Sequence, residues 1–247
     1  MGDVEFPRAL LRERSHAWNL AGVAVAGGAI ASGVGTLTRS DGGGYWTCQM
    51  SEIGLSGRSG QAVPDRGRDR QRISTLLWRA VRQVAAGGVT NLIVPRNDAL
   101  FRPWPEGTAQ APVELPHSDG AWFSDDAGYY QPTIDIVAAG AAALRATSLE
   151  IEIANSGALL GGESFSIEHP TWGWRLYEIA TVDMVSDGEA TITFNPPLRE
   201  AVASGESLEF DRPRCLMRLA QPSSMDLRIV PWTFNSASVD FVEAPIT

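Results

Sequence analysis

Short runs of alternating apolar and polar residues, separated by turns rich in glycine and proline, recur throughout this chain of 247 residues. In Leu149-Glu150-Ile151-Glu152-Ile153, leucine and isoleucine occupy one face of the run and glutamate occupies the other. This period of two is typical of a strand in an antiparallel sheet that buries one face. The pattern therefore predicts a mainly β protein.

The second half of the chain contains several such runs in close succession. Asp187-Gly188 lies between two of them and indicates a hairpin, because this dipeptide suits a two-residue turn. Strands at this spacing predict a small β-sandwich or barrel. The runs lie at 133–137, 148–153, 164–169, 175–185 and 190–195.

Helical periodicity is convincing in one segment, 73–86. Its apolar residues recur at intervals of three and four, which predicts one buried face, and Gly87-Gly88 follows as a signal that ends the helix. The predicted buried positions are Ile73, Leu76, Leu77, Ala80, Val81 and Val84. We expect one α-helix packed against β-structure.

Changes in composition and residue pattern along the chain predict two domains, one inserted in the other. Residues 96–128 are rich in proline, glycine and aspartate and predict a long connection. The runs after Arg212-Pro213 are too few for a domain of their own, so an incomplete N-terminal sheet is expected to receive them. We predict a first domain formed by 1–127 and 213–247, interrupted by a peripheral β-domain at 128–212.

Charge and apolar content exclude some partners. The formal net charge of −9 repels phosphate backbones and argues against specific nucleic-acid binding. Segment 18–37 is weakly apolar, but glycine interrupts it too often for a membrane span, so we expect no membrane insertion. Cys48 and Cys215 lie in apolar runs and are expected to be free, which fits a reducing cytoplasm.

The polar segment 56–72 lacks periodicity and is predicted to be an exposed loop. Spaced arginines within an acidic chain suggest a contact with an acidic surface of a neighbouring subunit, and a solvated loop is the alternative. The four candidates for this subunit contact are Arg66, Arg68, Arg70 and Arg72.

Motifs that carry chemistry are missing from the sequence. His16, His117 and His169 lie far apart and match no known spacing of metal ligands. Asp125-Asp126 could hydrolyse a glycosidic bond, but turn-rich segments favour aspartate for backbone reasons. We therefore predict no catalytic residue, no metal, no cofactor and no enzymatic activity, and keep a glycan hydrolase as a third hypothesis.

An aromatic cluster offers a different class of function. Trp172, Trp174 and the nearby Tyr177 could stack on the face of a sugar or contact a partner protein. The same side chains could equally pack a β-sandwich core or a subunit interface. A carbohydrate-binding β-sandwich module is therefore the alternative function.

Several short segments of the sequence resemble segments of the distal tail proteins of long-tailed bacteriophages. In the first half they are Trp18 before a glycine-rich run, Gly43-Gly44-Tyr45-Trp46, the helix at 74–86 ending in Gly-Gly, and Asn91-Leu92-Ile93-Val94-Pro95. In the second half they are Ser164-Phe165-Ser166-Ile167, Arg175-Leu176-Tyr177-Glu178-Ile179, the run 188–194, Pro196-Pro197-Leu198-Arg199 and Arg214-Cys215-Leu216-Met217-Arg218-Leu219. The resemblance covers most of the chain.

This resemblance implies a tail-tube-like β-barrel with one packed helix, completed by C-terminal strands and interrupted by a peripheral β-domain. It implies a structural protein of the virion tail tip or baseplate, assembled in the host cytoplasm, in which six copies form a ring. The expected partners are further copies of the chain, the tail tube protein, and hub or receptor-binding proteins. DNA would cross the lumen of the ring, and no reaction would be catalysed.

Overall fold

The computed structural model describes residues 4–29, 35–40, 42–55, 66–107, 113–115, 129–131, 133–186, 188–229 and 235–245. The described chain is mainly β with one α-helix, which confirms the predicted fold class. It divides into two compact units. Unit 1 consists of Met1–Pro95 and Leu216–Thr247, and unit 2 consists of Arg96–Cys215.

The elements are numbered here in chain order. The first strands are β1 (Val4–Glu5), β2 (Ser15–Ala21), β3 (Ala24–Ala29), β4 (Gly35–Arg39) and β5 (Tyr45–Gly54), followed by helix α1 (Arg66–Ala85) and β6 (Leu92–Pro95). Then come β7 (Val113–Leu115), β8 (Tyr129–Gln131), β9 (Asp135–Ala138), β10 (Ser148–Asn155), β11 (Ser164–His169), β12 (Gly173–Ser186) and β13 (Glu189–Asn195). The last two are β14 (Arg214–Leu219) and β15 (Ser236–Glu243).

The main sheet of unit 1 has the strand order β1-β6-β14-β15-β5-β2. Strands β14 and β15, from the end of the sequence, therefore lie between strands from its beginning. Alternate side chains of these strands face the core, as the period of two in a strand requires. Cys48 and Met50 of β5 and Phe241 of β15 are among the buried residues. Phe6 packs edge-on against Phe241, with ring centroids 5.5 Å apart.

Helix α1 begins at Arg66, earlier than the predicted start at 73. The prediction of a loop is therefore wrong for 66–72, while 56–65 lie outside the described residues. The amphipathic pattern that revealed the helix starts only at Ile73, so it gave no signal for the polar first turns. Arginine and glutamine are good helix formers, and this propensity suits the extension.

The buried face of α1 differs from the predicted one. Trp78 is fully buried at 0% exposure, and its indole Nε1 donates a hydrogen bond to the Met225 carbonyl oxygen at 3.2 Å. Ser74 donates from Oγ to the Leu55 carbonyl oxygen at 2.6 Å. These contacts orient the helix, and the predicted face is wrong for the exposed residues Ile73, Leu76, Ala80 and Val84.

Unit 2 contains a five-stranded sheet with the order β11-β12-β13-β10-β9. Strands β12 and β13 form the predicted hairpin, with Ser186 opposite Glu189. Segment 206–209 hydrogen-bonds both edge strands: Leu208 N donates to Ile136 O of β9 at 3.0 Å, and Ser166 N of β11 donates to Glu209 O at 3.0 Å. The same segment therefore covers both edges of the sheet.

The core of this unit is aromatic at its centre. Phe165 lies 5.4 Å from Phe210 and 5.6 Å from Phe194, measured between ring centroids. Aliphatic side chains of β9, β10 and β13 surround this group, including Ile136, Ile151 and Ile192. The offset and edge-to-face arrangements are those that aromatic pairs prefer, and they add to the burial free energy.

The first domain boundary lies at Pro95 and not after residue 127 as predicted. Residues 96–104 are bound to the β-structure of unit 2: Arg96 Nη1 donates to Glu178 Oε2 at 2.8 Å, and Gly157 N donates to Pro103 O at 2.8 Å. Trp104 also packs against the core of this unit. Residues 96–104 therefore belong to unit 2 and not to a linker, while 108–112 and 116–128 of the predicted connection lie outside the described residues. The second boundary lies after Cys215 instead of 212.

The orientation of α1 leads to a direct test. We expect Trp78→Ala to lower the free energy of unfolding by about 3 to 5 kcal/mol, because it leaves a large cavity and frees the Met225 carbonyl group. Leu76→Ala, two residues away on the exposed side, should cost less than about 1 kcal/mol. Urea unfolding followed by circular dichroism measures both. Equal losses for the two variants would contradict the assigned helix face.

Candidate functional site

Strand β2 is an edge strand, with β5 as its one neighbour among the described strands. It pairs with β5 along its whole length, from Ser15 opposite Ser51 to Ala21 opposite Tyr45. Its sequence, SHAWNLA, contains no proline, lysine, arginine or carboxylate. These are devices by which monomeric proteins protect an edge from pairing with another chain, so β2 is a candidate assembly surface.

The hairpin formed by β3 and β4 follows β2 directly. Ala24 pairs with Arg39 and Ala26 with Leu37, and this sheet has two strands among the described residues. Its described side chains are exposed, including Val25 and Leu37, the latter at 77%. A two-stranded hairpin is marginally stable in water on its own, so a surface that covers it would stabilise it.

Helix α1 carries a second exposed apolar surface in unit 1. Ile73, Leu76, Ala80 and Val84 follow one another at intervals of three and four residues, which places them on one side of the helix. We call these four residues the apolar stripe. Leu76 is 48% exposed. Contiguous apolar surface of this kind is typical of interfaces.

Sequence reasoning found the residues of the apolar stripe but assigned them to the core. The signal that could have separated the two faces is Trp78, the largest apolar residue of the helix, which lies on the buried side with Val81 and Ala85. The apolar arc of α1 is wider than the core can cover, because both groups belong to it. The open edge of β2 was not predicted, since strand order does not follow from local periodicity.

The four arginines proposed for a subunit contact lie in the first two turns of α1. Arg66, Arg68, Arg70 and Arg72 thus belong to a helix and not to a loop. Their side chains lie outside the described residues, so their contact with a neighbouring subunit stays a prediction.

The three aromatic candidates for a glycan contact do not share one surface. Tyr177 is fully buried in the core of unit 2, so the prediction of a glycan or partner contact is wrong for this residue. Trp172 and Trp174 are half-buried. Arg214 covers the ring of Trp174, with its guanidinium carbon 4.2 Å from the ring centroid. Two aromatic rings, one of them covered by an arginine, make a poorer sugar platform than three would.

Tyr177 instead belongs to a buried polar cluster. Its hydroxyl oxygen accepts a hydrogen bond from Arg199 N at 3.1 Å and lies 2.7 Å from His169 Nε2. A phenol hydroxyl can accept a hydrogen bond at its oxygen and donate its own hydrogen at the same time, so Tyr177 can donate a hydrogen bond to Nε2. His169 is itself buried, and its Nδ1 atom has no hydrogen-bond partner within the described part of the chain.

Burial lowers the pKa of His169 to about 4, with a smaller lowering from Arg175 and an opposing effect of Glu200. The imidazole is therefore neutral near pH 7, where its Nε2 atom can accept a hydrogen bond from the Tyr177 hydroxyl. Glu200 itself accepts hydrogen bonds from Thr171 N at 3.1 Å and Thr171 Oγ1 at 2.9 Å. The cluster fits a structural role, because His169 at the end of β11 is tied to Tyr177 of β12, which also accepts a hydrogen bond from Arg199 beyond the end of β13.

A small cavity of about 90 Å³ lies within unit 2. Its two arginines are held by the protein: Arg96 binds Asp98 and Glu178, and Arg102 donates to the carbonyl oxygens of Asp211 and Arg96. Ligand pockets commonly measure about 300 to 1,000 Å³, so this space is too small for a cofactor. It is lined by Arg96, Asp98, Phe101, Arg102, Gly162, Ser164 and Pro213.

Across the described ranges, no group of three or more His, Cys, Asp or Glu side chains is arranged to hold a metal ion. None of the helices in that part of the chain has the length and hydropathy of a membrane span. Cys48 and Cys215 are both buried, and they form no disulfide bond with each other.

Comparisons with known proteins identify no family for this chain. No protein-family model matches it, and no curated protein matches it. Its function must therefore be argued from the surfaces described above.

The buried histidine predicts an acid-sensitive unit 2. An imidazole with a folded-state pKa of about 4 and an ordinary value of 6.5 contributes stability that is present above pH 6.5 and is lost as the pH falls towards 4. The loss amounts to up to about 3 kcal/mol, because one pKa unit corresponds to about 1.4 kcal/mol. We expect His169→Gln to flatten this part of the stability curve.

Urea unfolding at a series of pH values measures this effect. His16→Gln, which changes a histidine in unit 1, is the matched control and should keep the steep dependence. The assignment fails if His169→Gln shows the same dependence on pH as the unchanged protein.

Proposed function

We propose that this chain is a distal tail protein of a long-tailed bacteriophage, which forms a ring at the tail tip between the tail tube and the hub or receptor-binding proteins. The observation that carries the proposal is the edge of β2 in unit 1, which has no second neighbour among the described strands and carries no proline, lysine, arginine or carboxylate. The sequence phrases that resemble distal tail proteins supply the family. The role requires assembly and no catalysis.

The exposed surfaces of unit 1 favour assembly through unlike patches. The β2 edge, the β3–β4 hairpin and the apolar stripe of α1 are three different surfaces. Contacts between unlike patches are heterologous, and they produce a closed ring when the rotation between neighbours fits. Six copies around the tail axis would satisfy this condition.

The charge of the chain suits a ring that DNA crosses. A formal net charge of −9 disfavours lasting contact with a phosphate backbone, so DNA would pass through the lumen without specific binding. In this proposal the ring is assembled in the host cytoplasm and becomes part of the virion tail. Unit 2, the inserted β-domain, would lie on the periphery and would be available for fibres or receptor-binding proteins.

The oligomeric state tests the proposal. We expect the purified chain to assemble into particles with six times the mass of one copy, and native mass spectrometry gives this number directly. Negative-stain electron microscopy of the same sample should show rings with a central opening. A chain that remains monomeric at all concentrations and salt conditions would refute the proposal.

The role of the β2 edge has its own test. Ala17→Lys together with Asn19→Lys places charges at two exposed positions of the edge strand, as natural edge strands do. We expect this variant to lose assembly and to remain folded. Gln49→Lys is the matched control, because Gln49 lies opposite Ala17 on β5, an interior strand of the sheet.

Hydrogen exchange provides a second readout of the same contact. In the assembled wild-type protein we expect backbone amides of β2 to exchange more slowly than in the lysine variant, since a neighbouring chain would cover the edge. If the lysine variant assembles as the wild type does, the ring does not use this edge.

A further inference from the structure

The two units of this chain carry opposite formal charge. Unit 1 contains 13 of the 20 Lys and Arg residues and 10 of the 29 Asp and Glu residues, which gives +3. Unit 2 contains the other 7 basic and 19 acidic residues, which gives −12, and the two values add to the net charge of −9. Surfaces of the two units on different copies therefore attract each other.

The positive charge of unit 1 is concentrated in α1, whose 20 residues include six arginines and one aspartate. Arg79 is exposed and lies beside the apolar stripe, three residues after Leu76. Gln83, also exposed, follows one turn later on the same side. The helix thus presents an apolar surface with a basic border.

Unit 2 presents the complementary surface on the outer face of its sheet. Glu150 and Glu152 of β10, Asp183 of β12 and Glu189 of β13 are exposed on the face opposite the core. Strands β9, β10 and β13 and the end of β12 at 180–186 contain no arginine or lysine. We call these four carboxylates, with the adjacent Val185, the outer sheet face; Met184 lies opposite the buried Ala190 and faces the other side of the sheet.

Two features of the outer sheet face suit an external partner. Glu152 lies directly opposite Glu189 in the antiparallel pair, and like charges in this position destabilise a sheet unless a counter-charge is near. Val185 is exposed at 69% at the end of the same hairpin. The outer sheet face therefore combines four carboxylates, on strand segments that contain no basic residue, with an exposed apolar side chain at the end of the hairpin.

From this complementarity we propose that α1 of one copy docks on the outer sheet face of unit 2 of a neighbouring copy. The apolar stripe contacts Val185, and Arg79 beside the stripe approaches Glu152 and Glu189. The inference rests on the proposed ring and names a second contact in it, separate from the β2 edge. A second copy is the occupant because the same chain supplies both surfaces in a fixed one-to-one ratio.

The contact is heterologous, since a helix meets a sheet. Each copy therefore gives one helix and one sheet face, and the contacts of a closed ring use all of them. Its ionic part should weaken as salt is added, because the Debye length falls from about 30 Å at 0.01 M to about 10 Å at 0.1 M. The apolar part of the contact should not weaken as salt is added.

Charge reversal on each surface tests the contact. The helix variant is Arg79→Glu with Gln83→Glu, and the sheet variant is Glu152→Arg with Glu189→Arg; all four positions are exposed. We expect each variant alone to assemble at least about tenfold more weakly than the wild type, given the coupling energies of close interfacial charge pairs. Native mass spectrometry at low salt measures the assembled fraction against concentration.

Combining the variants tests which copies touch. In an equimolar mixture of the helix and sheet variants, each reversed helix can meet a reversed sheet on the next copy, so we expect alternating rings. The chain that carries all four changes should also assemble. Recovery in this chain without recovery in the mixture would place the contact within one copy and overturn the proposal.

Controls separate this contact from general effects of charge. Arg218→Glu in unit 1 and Glu168→Arg in unit 2 change exposed residues outside the two surfaces and should leave assembly unchanged. Circular dichroism confirms that each variant is folded, and the mixture experiment uses the same purified proteins. If the wild type forms rings and both reversed variants do so equally well, this contact is refuted and the proposed function stands. If the wild type forms no rings, the proposed function fails and this inference fails with it.

Discussion

Pairing between the two ends of the chain holds unit 1 together. Strands β14 and β15 occupy the middle of the sheet, with β6 on one side and β5 on the other. Phe241 lies opposite both Cys48 of β5 and Leu219 of β14. Without the C-terminal pair, β1 with β6 and β2 with β5 would be separate two-stranded sheets, which are marginally stable in water. Unit 2 is inserted in the sequence between β6 and β14, which are neighbouring strands in the sheet of unit 1.

The two units differ in whether another segment of the chain hydrogen-bonds the edges of their sheets. Segment 206–209 covers both edges of the sheet in unit 2. In unit 1 the edge at β2 has no such cover among the described strands, and the β3–β4 hairpin beside it exposes its apolar residues. Monomeric proteins commonly protect a sheet edge with charges or proline, and β2 carries none of these devices. This contrast between the units supports the proposal that another chain pairs with the edge of unit 1.

The sequence predicted those features that depend on local periodicity. Alternation identified β10, and Asp187-Gly188 identified the β12–β13 hairpin, because a period of two and a turn dipeptide are properties of neighbouring residues. The predicted face of α1 was wrong because its apolar arc includes both Trp78 and Leu76, and the larger side chain, Trp78, is the one that the core covers. The burial of Tyr177 was equally hidden, since a hydroxyl that bonds His169 and Arg199 joins residues distant in sequence. The start of unit 2 at Arg96 depends on ion pairs that composition cannot reveal.

Assembly as proposed requires that free copies of the chain remain soluble. Unit 1 must keep the β2 edge and the apolar stripe available, yet free copies must not aggregate through them. Net charge keeps proteins apart, and most of the acidic residues lie in unit 2, away from the sequence of the assembling strands. Like charge on every copy opposes random association, while an arginine-rich helix offers one orientation in which approach is attractive. In the proposed ring, acidity in one unit and arginine in the other would therefore let the same chain remain dispersed as a monomer and still select its neighbour.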